Sequence, residues 1–162
     1  MKNGEGRGIN PPVFSMFRLV ERWGAVLFWM GGIFYFSSRS DPLGFLPLGQ
    51  DTADIDKLAH MGEYAGLAAL LYRALTGRQQ AARDTEHPAA GNPHPTRSDS
   101  ASRRRAFALA FAVALAYAVF DELHQSLVPG RGGELVDVGN DVTGMAAALG
   151  LIWLRERSWR GR

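Results

Sequence analysis

Hydrophobic residues are concentrated in four blocks that are separated by polar segments. The blocks cover residues 19–37, 58–75, 106–128 and 138–154. Each block is about as long as a helix that crosses a hydrocarbon core of ~30 Å. The third block contains the run FALAFAVALA, which is apolar on every side and leaves no helix face for water. The pattern predicts an all-α protein, an integral membrane four-helix bundle with up-down topology.

The polar segments define the rest of the organisation. Residues 1–18 are predicted to form an N-terminal segment, residues 76–105 a flexible loop without core-forming residues, and residues 155–162 a basic tail. The domain itself therefore covers residues 19–154. The first block has the shortest uninterrupted apolar run and is an alternative candidate for a signal peptide. Because SSRS follows it, and not a pattern of small residues typical of a cleavage site, we favour an uncleaved span.

Positive charge is distributed unevenly along the 162 residues, which include 18 Lys and Arg against 16 Asp and Glu. If the N-terminus is cytoplasmic, all basic residues except Arg39, Lys57 and Arg131 lie on the cytoplasmic side. Cytoplasmic segments of membrane proteins are enriched in Lys and Arg. We therefore expect both termini in the cytoplasm and basic contacts to membrane lipid, and no nucleic-acid partner, because no basic patch is interleaved with aromatic residues.

Ionisable and polar residues recur near one end of three of the predicted spans. Helical spacing places each group on a single stripe. The groups are Lys57, His60, Glu63 and Tyr64; Tyr117, Asp121, His124 and Gln125; and Asp137, Asn140, Asp141 and Gly144. Glu122 lies about 100° from the second stripe and is expected nearer the helix edge or the following loop. With helices in alternating directions, all three stripes meet in the extracytoplasmic layer.

A glycine-rich turn, PGRGG, follows the third span and contains Arg131. Backbone N–H groups and a guanidinium in such a turn can receive an anion. Together with the stripes it gives a candidate ligand-binding set. The members are Lys57, His60, Glu63, Tyr64, Asp121, Glu122, His124, Gln125, Arg131, Asp137 and Asp141.

The structural alternative is that these residues only join helices, at about 1 kcal/mol per hydrogen bond. Burying one ionisable group in mid-bilayer costs about 2.5–3.5 kcal/mol, and less near its edge. The number of such groups in this chain therefore favours a functional site.

Two of these segments carry a family resemblance. DKLAHMGEY, from Asp56 to Tyr64, and DELHQSLVPGR, from Asp121 to Arg131, resemble the VanZ-like family of small bacterial membrane proteins, as do Asp137, Asp141 and Gly144. The resemblance implies a bacterial cell-envelope protein in the cytoplasmic membrane, and a link to resistance against the glycopeptide antibiotic teicoplanin in some members. It implies no reaction. Asp141 stands where the family pattern often has Asn, and the loop over 76–105 is longer than usual.

Two functions fit the predicted site. The favoured one is a pocket that binds or modulates a cell-wall precursor, a lipid-linked ligand or an anionic headgroup without turnover. The alternative is a small membrane enzyme in which a His–carboxylate pair provides acid–base chemistry on an envelope substrate. Its candidate catalytic residues are His60, Glu63, Asp121 and His124, and Arg131 would hold a phosphate or carboxylate.

A metal site is a third hypothesis and uses the same four residues. His60-x-x-Glu63 and Asp121-x-x-His124 lie on neighbouring antiparallel helices, and this pattern is similar to the carboxylate-and-histidine sites of helical bundles. Those sites use two motifs in the same chain direction, which is not the case here. No cofactor is therefore predicted, and a divalent metal remains the minority alternative.

Overall fold

A computed structural model describes residues 12–41, 53–86, 97–132 and 135–160, and these form four helices. The helices are α1 (Pro12–Ser37), α2 (Ala53–Glu86), α3 (Arg97–Gln125) and α4 (Leu135–Arg160). The described residues include no strand. The all-α prediction with four helices is confirmed.

The helices are longer than the apolar blocks. Because α2 continues to Glu86 and α3 begins at Arg97, the predicted loop over 76–105 is wrong at both ends, and residues 87–96 lie outside the described part of the chain. The sequence GRQQAARDTE after the second block is rich in good helix formers. Extending an existing helix avoids the cost of nucleating a new one, so polar residues can continue α2 without a buried apolar face. For the same reason, helix occupies residues 12–18 of the predicted N-terminal segment and most of the tail over 155–162.

The chain alternates in direction along the bundle. Ser37 at the end of α1 donates a hydrogen bond to Asp121 near the end of α3. His60 near the start of α2 faces Asp141 near the start of α4. The ends of α1 and α3 therefore lie beside the starts of α2 and α4, and we call this the polar end of the bundle.

At the opposite end of the bundle, Glu156 joins α4 to α2 and α3. Its carboxylate accepts hydrogen bonds from the Tyr72 hydroxyl of α2 (2.7 Å) and from the Arg103 guanidinium of α3 (3.1 Å). A cavity of about 290 Å³ opens beside this contact and is lined by Arg103, Arg104, Arg157, Trp153 and neighbouring residues. We call this the basic end.

Small side chains on α3 allow the helices between these two ends to pack closely. A stripe of alanines at every fourth position, Ala106, Ala110, Ala114 and Ala118, is buried. It belongs to one core cluster with Leu67 and Leu71 of α2 and with Met145 and Leu149 of α4. Residues four apart lie on the same helix face, so the stripe provides α3 with a narrow, apolar contact surface.

The outward surface of the bundle is also apolar. Large hydrophobic side chains are exposed on all four helices, among them Phe28 (82%), Leu58 (64%), Leu123 (65%) and Leu151 (67%). Within the described residues, one helical segment, Ser100–Gln125, is long and apolar enough to cross a membrane, with a mean hydropathy of 1.8. The ionisable residues at the polar end lower the hydropathy of α2 and α4 relative to α3.

The most extensive helix contact is between α2 and α4. A Cβ atom added to Gly144 would overlap the backbone carbonyl oxygen of Met61. Backbone atoms cannot move away as a flexible side chain can, so only glycine fits at this position. The crossing lies one turn from Asp141 and so sets the distance between α4 and His60.

We predict that Gly144→Ala lowers the free energy of unfolding by about 2–3 kcal/mol, because the added methyl group must push two backbones apart. The matched control is Gly150→Ala on the same helix, where an added Cβ meets nothing within 4 Å. That change should be neutral or stabilising by up to about 1 kcal/mol. Thermal unfolding of both variants in detergent provides the comparison, and equal stability of the two would contradict the close crossing.

Candidate functional site

Five ionisable residues from three helices gather at the polar end. His60 and Glu63 come from α2, Asp121 and Glu122 from α3, and Asp141 from α4. All except Glu63, which is half-buried, are buried, and Asp121 and Asp141 are each only 1% exposed. Glu63 and Asp141 both lie within electrostatic range of Asp121. We call these five residues the polar cluster.

The tightest part of the polar cluster is formed by His60, Glu122 and Asp141. One ligand-type atom of each residue lies within 4.8 Å of the other two. The Nδ1 atom of His60 is 3.9 Å from Oδ1 of Asp141, which is too long for a hydrogen bond. His60 Nδ1 and both carboxylate oxygens of Asp141 have no hydrogen-bond partner in the described part of the chain.

The position of Glu122 differs from the prediction that placed it near the helix edge or the following loop. Its side chain is buried and belongs to the group with His60 and Asp141. Successive helix residues point about 100° apart. Since α3 packs against α1 on one side and against α2 and α4 on the other, that offset turns Asp121 toward α1 and Glu122 toward α2 and α4.

Asp121 makes its hydrogen bonds to α1 and to its own helix. Its Oδ2 atom accepts from the Ser37 hydroxyl (2.7 Å) and from the Gln125 side-chain amide (3.0 Å), and all three residues are buried. Sequence reasoning missed Ser37, because α1 was treated only as a generic span. The polar run SSRS at the end of that apolar block is the signal that could have identified it.

His124 lies on the α1 side and is not part of the group around His60. Its ring stacks on Phe34 with centroids 4.5 Å apart, and its Nε2 atom is 3.0 Å from the Ser38 hydroxyl oxygen. The Ser38 hydroxyl donates its only proton to the Phe34 carbonyl (2.6 Å). His124 must therefore donate to Ser38, which is the reverse of the polarity that a general base needs toward a nucleophile.

The metal ligands expected from the sequence are thus only partly brought together. Of His60, Glu63, Asp121 and His124, His60 alone belongs to the three-residue group that the described residues form. Glu122 and Asp141 take the places of the others. Asp121 and His124 both contact the end of α1, and neither belongs to the group around His60, so the metal site considered from the sequence pattern is not formed by its four candidates.

Arg131 is already paired. Its Nη2 atom donates to Asp56 Oδ2 at 2.7 Å, its Nη1 atom lies 3.5 Å from the Phe36 carbonyl oxygen, and its side chain is 9% exposed. The turn that carries it depends on Gly130, whose φ of +84° suits glycine. The anion that the turn receives is therefore the Asp56 carboxylate at the start of α2, so the expected role of Arg131 in holding a ligand phosphate is not supported.

The remaining predicted residues take different positions. Lys57 is exposed at the start of α2. Tyr64 is fully buried, with its ring 6.5 Å from that of His60. Asp137 is half-buried and accepts a hydrogen bond from the Asn140 amide (3.4 Å).

The arrangement makes the polar cluster acidic. It contains four carboxyl groups and one imidazole, and the Arg131 guanidinium, which lies within electrostatic range of Glu63, is paired with Asp56. Opposite charges attract strongly where water is excluded. Its chemistry therefore suits a cation, or a ligand that carries a positive group.

Comparison with known proteins gives one family match. The family model described as VanZ/LLP1 matches residues 13–156, which include the polar cluster and nearly the whole of the four helices. No curated protein and no solved structure matches this chain.

We predict that Arg131 and Asp56 are energetically coupled. Arg131→Gln and Asp56→Asn should each destabilise the protein, and the double variant should be little worse than either, with a coupling energy of about 1–2 kcal/mol. This exceeds the ~0–1 kcal/mol of an exposed pair, because the Arg131 side chain is largely buried. A double-mutant cycle of unfolding free energies measures it.

Arg39→Gln is the matched control for that cycle, because this arginine is exposed just after α1 and its guanidinium donates to the nearby Tyr35 hydroxyl. Its effect should stay within about 0.5 kcal/mol. Additive effects of the Arg131 and Asp56 changes would show that their contact contributes nothing to stability.

Proposed function

The chain belongs to the VanZ/LLP1 family, and we propose that it is a four-span protein of the bacterial cytoplasmic membrane that binds a cell-wall or lipid-linked ligand. The polar cluster is the binding site and faces the extracytoplasmic side. The observation that carries this proposal is the gathering of five ionisable residues from three helices, four of them buried, at one end of a bundle whose outward surface is apolar.

The outward surface supports insertion in lipid. The side chains of Leu27, Phe28 and Leu154 are exposed by 56–82%. Soluble proteins rarely leave large continuous apolar patches in water. Every helix satisfies its own backbone hydrogen bonds, which a lipid environment requires.

The basic end supports the orientation. Arg103, Arg104 and Arg157 line its cavity, and the Arg157 guanidinium lies over the Trp153 ring at 5.4 Å. Arginine with tryptophan is typical of the membrane interface, and basic residues favour the cytoplasmic side. With this end in the cytoplasm, the cavity faces anionic lipid headgroups and the polar cluster faces the cell exterior.

The charge of the polar cluster restricts which ligands can bind. A phosphate or carboxylate cannot approach four carboxyl groups unless a positive charge lies between them. The complementary ligand therefore brings a cationic group of its own, or meets the cluster through a bound cation. A cell-wall precursor can meet the cluster in either way. Its peptide can carry a positive group, and its lipid pyrophosphate can approach through a bound cation. The family link to teicoplanin is part of this proposal, through the same precursor.

Binding explains the geometry better than catalysis does. The Ser38–His124 pair has the wrong hydrogen-bond polarity for a nucleophile and its base. Arg131, which an enzyme would use to hold a phosphate, is occupied by Asp56. These two contacts do not support the enzymatic alternative.

The orientation can be tested with single cysteines, because the sequence contains none. We expect Gly132→Cys, in the turn at the polar end, to react with a membrane-impermeant maleimide on intact cells. Ser158→Cys, at the basic end, should react only after lysis. The unchanged protein is the background control, and the opposite labelling pattern would contradict the proposed sidedness.

The binding role can be tested with a lipid-linked disaccharide-pentapeptide precursor in nanodiscs. We expect Asp121→Asn to weaken binding of this probe at least tenfold, which corresponds to about 1.4 kcal/mol. Glu21→Gln, on the exposed side of α1, is the control and should leave the affinity unchanged. Native mass spectrometry measures the affinity of both variants for the precursor. Equal affinity of the two variants, or no binding by the unchanged protein, would overturn the proposed ligand.

A further inference from the structure

We propose that His60, Glu122 and Asp141 bind a divalent transition-metal ion, with zinc as the best fit and manganese as the second. The inference rests on the proposed binding role of the polar cluster and names the ion that the cluster holds. It replaces the ligand set that the sequence pattern favoured, since Glu63, Asp121 and His124 are not members of this group.

The geometry of the group is close to that of a metal site. Two ligand atoms at about 2.1 Å from a tetrahedral zinc ion lie about 3.4 Å apart. The separation of His60 Nδ1 and Asp141 Oδ1 is 3.9 Å, and all three ligand atoms lie within 4.8 Å of one another. Small side-chain rotations therefore close the group around one ion without any change in the helices.

Unpartnered atoms provide the second, independent observation. Asp141 is 1% exposed, and neither of its carboxylate oxygens has a hydrogen-bond partner in the described part of the chain. The Nδ1 atom of His60, which faces this carboxylate, also has none there. Buried polar atoms in native proteins almost always have a partner. A cation between these residues satisfies the two oxygens and the nitrogen at once.

The donor set indicates which ion fits. One imidazole nitrogen and two carboxylates suit zinc, manganese or ferrous iron, whereas calcium and magnesium prefer oxygen ligands alone. Two carboxylates balance the charge of a dication. Three protein ligands also leave at least one coordination position open, as in zinc sites that bind a further group.

The open position gives the ion a role in ligand binding. Glu63 and Asp121 add two further carboxyl groups within electrostatic range of Asp141. Without an ion, a phosphate or carboxylate is repelled by the polar cluster. A bound dication reverses this locally and presents a positive site toward which the phosphate of a lipid-linked ligand can turn.

The metal itself is the probe in the test. Full-length protein is purified in detergent, stripped with a chelator, supplied with zinc or manganese and then desalted, and its metal content is measured by inductively coupled plasma mass spectrometry. We expect one equivalent of zinc per chain. Asp141→Asn and His60→Gln, which keep nearly the same side-chain volume, should each weaken zinc binding at least tenfold. Thermal unfolding with and without zinc gives a second readout, in which only the unchanged protein and the control are stabilised.

His124→Gln is the matched control, because it removes the histidine that stacks on Phe34 outside the group. It should keep one equivalent of zinc. Substoichiometric metal in the unchanged protein, or equal binding by His60→Gln and His124→Gln, would overturn the site. If zinc binds as expected and the precursor does not, the inference stands and the proposed ligand fails. If the precursor binds equally well to the stripped and the zinc-loaded protein, the role of the ion in ligand binding fails.

Discussion

Burial of carboxyl groups at one end of the bundle is the constraint on which the rest of the structure depends. Asp121 and Asp141 are almost fully enclosed, and each must find a donor or a cation. Asp121 finds its donors in Ser37 and Gln125, which fixes the end of α1 against the end of α3. Asp141 lies opposite His60, 3.9 Å away and without a hydrogen bond, where the start of α4 lies beside the start of α2. The surroundings of the two carboxyl groups thus define how the helix ends meet.

Close helix packing makes that arrangement possible. The alanine stripe of α3 and the crossing of Gly144 with Met61 let the helices approach until side chains from three of them share one small volume. Arg131 then pairs with Asp56, so that the turn after α3 covers this end of the bundle. The Arg131 guanidinium is engaged by Asp56 and contributes to the architecture, while the polar cluster keeps four carboxyl groups against one imidazole. A cluster of this composition favours a cation over an anion, which is the basis of the proposed metal site.

The success of the sequence predictions depends on how far apart the interacting residues are along the chain. The presence of a helix can be predicted from a local apolar run, and each of the four runs lies in a helix. Helix ends were less predictable, because the polar continuation to Glu86 depends on propagation from a formed helix and not on burial. Ser37 was missed because its partner Asp121 is 84 positions away.

The sequence by itself determined that the protein is helical, that polar and ionisable residues of three helices recur at one end, and that the chain resembles the family to which it belongs, since all three follow from residue order and spacing. The tertiary structure alone decided which residues share a site. Helical spacing places Asp121 and His124 on one stripe and Glu122 about 100° away, and on a helix with a single partner this would leave Glu122 outside the site. In the structure α3 has partners on two sides, so the 100° between Asp121 and Glu122 sends them to different neighbours, and Glu122 joins His60 and Asp141.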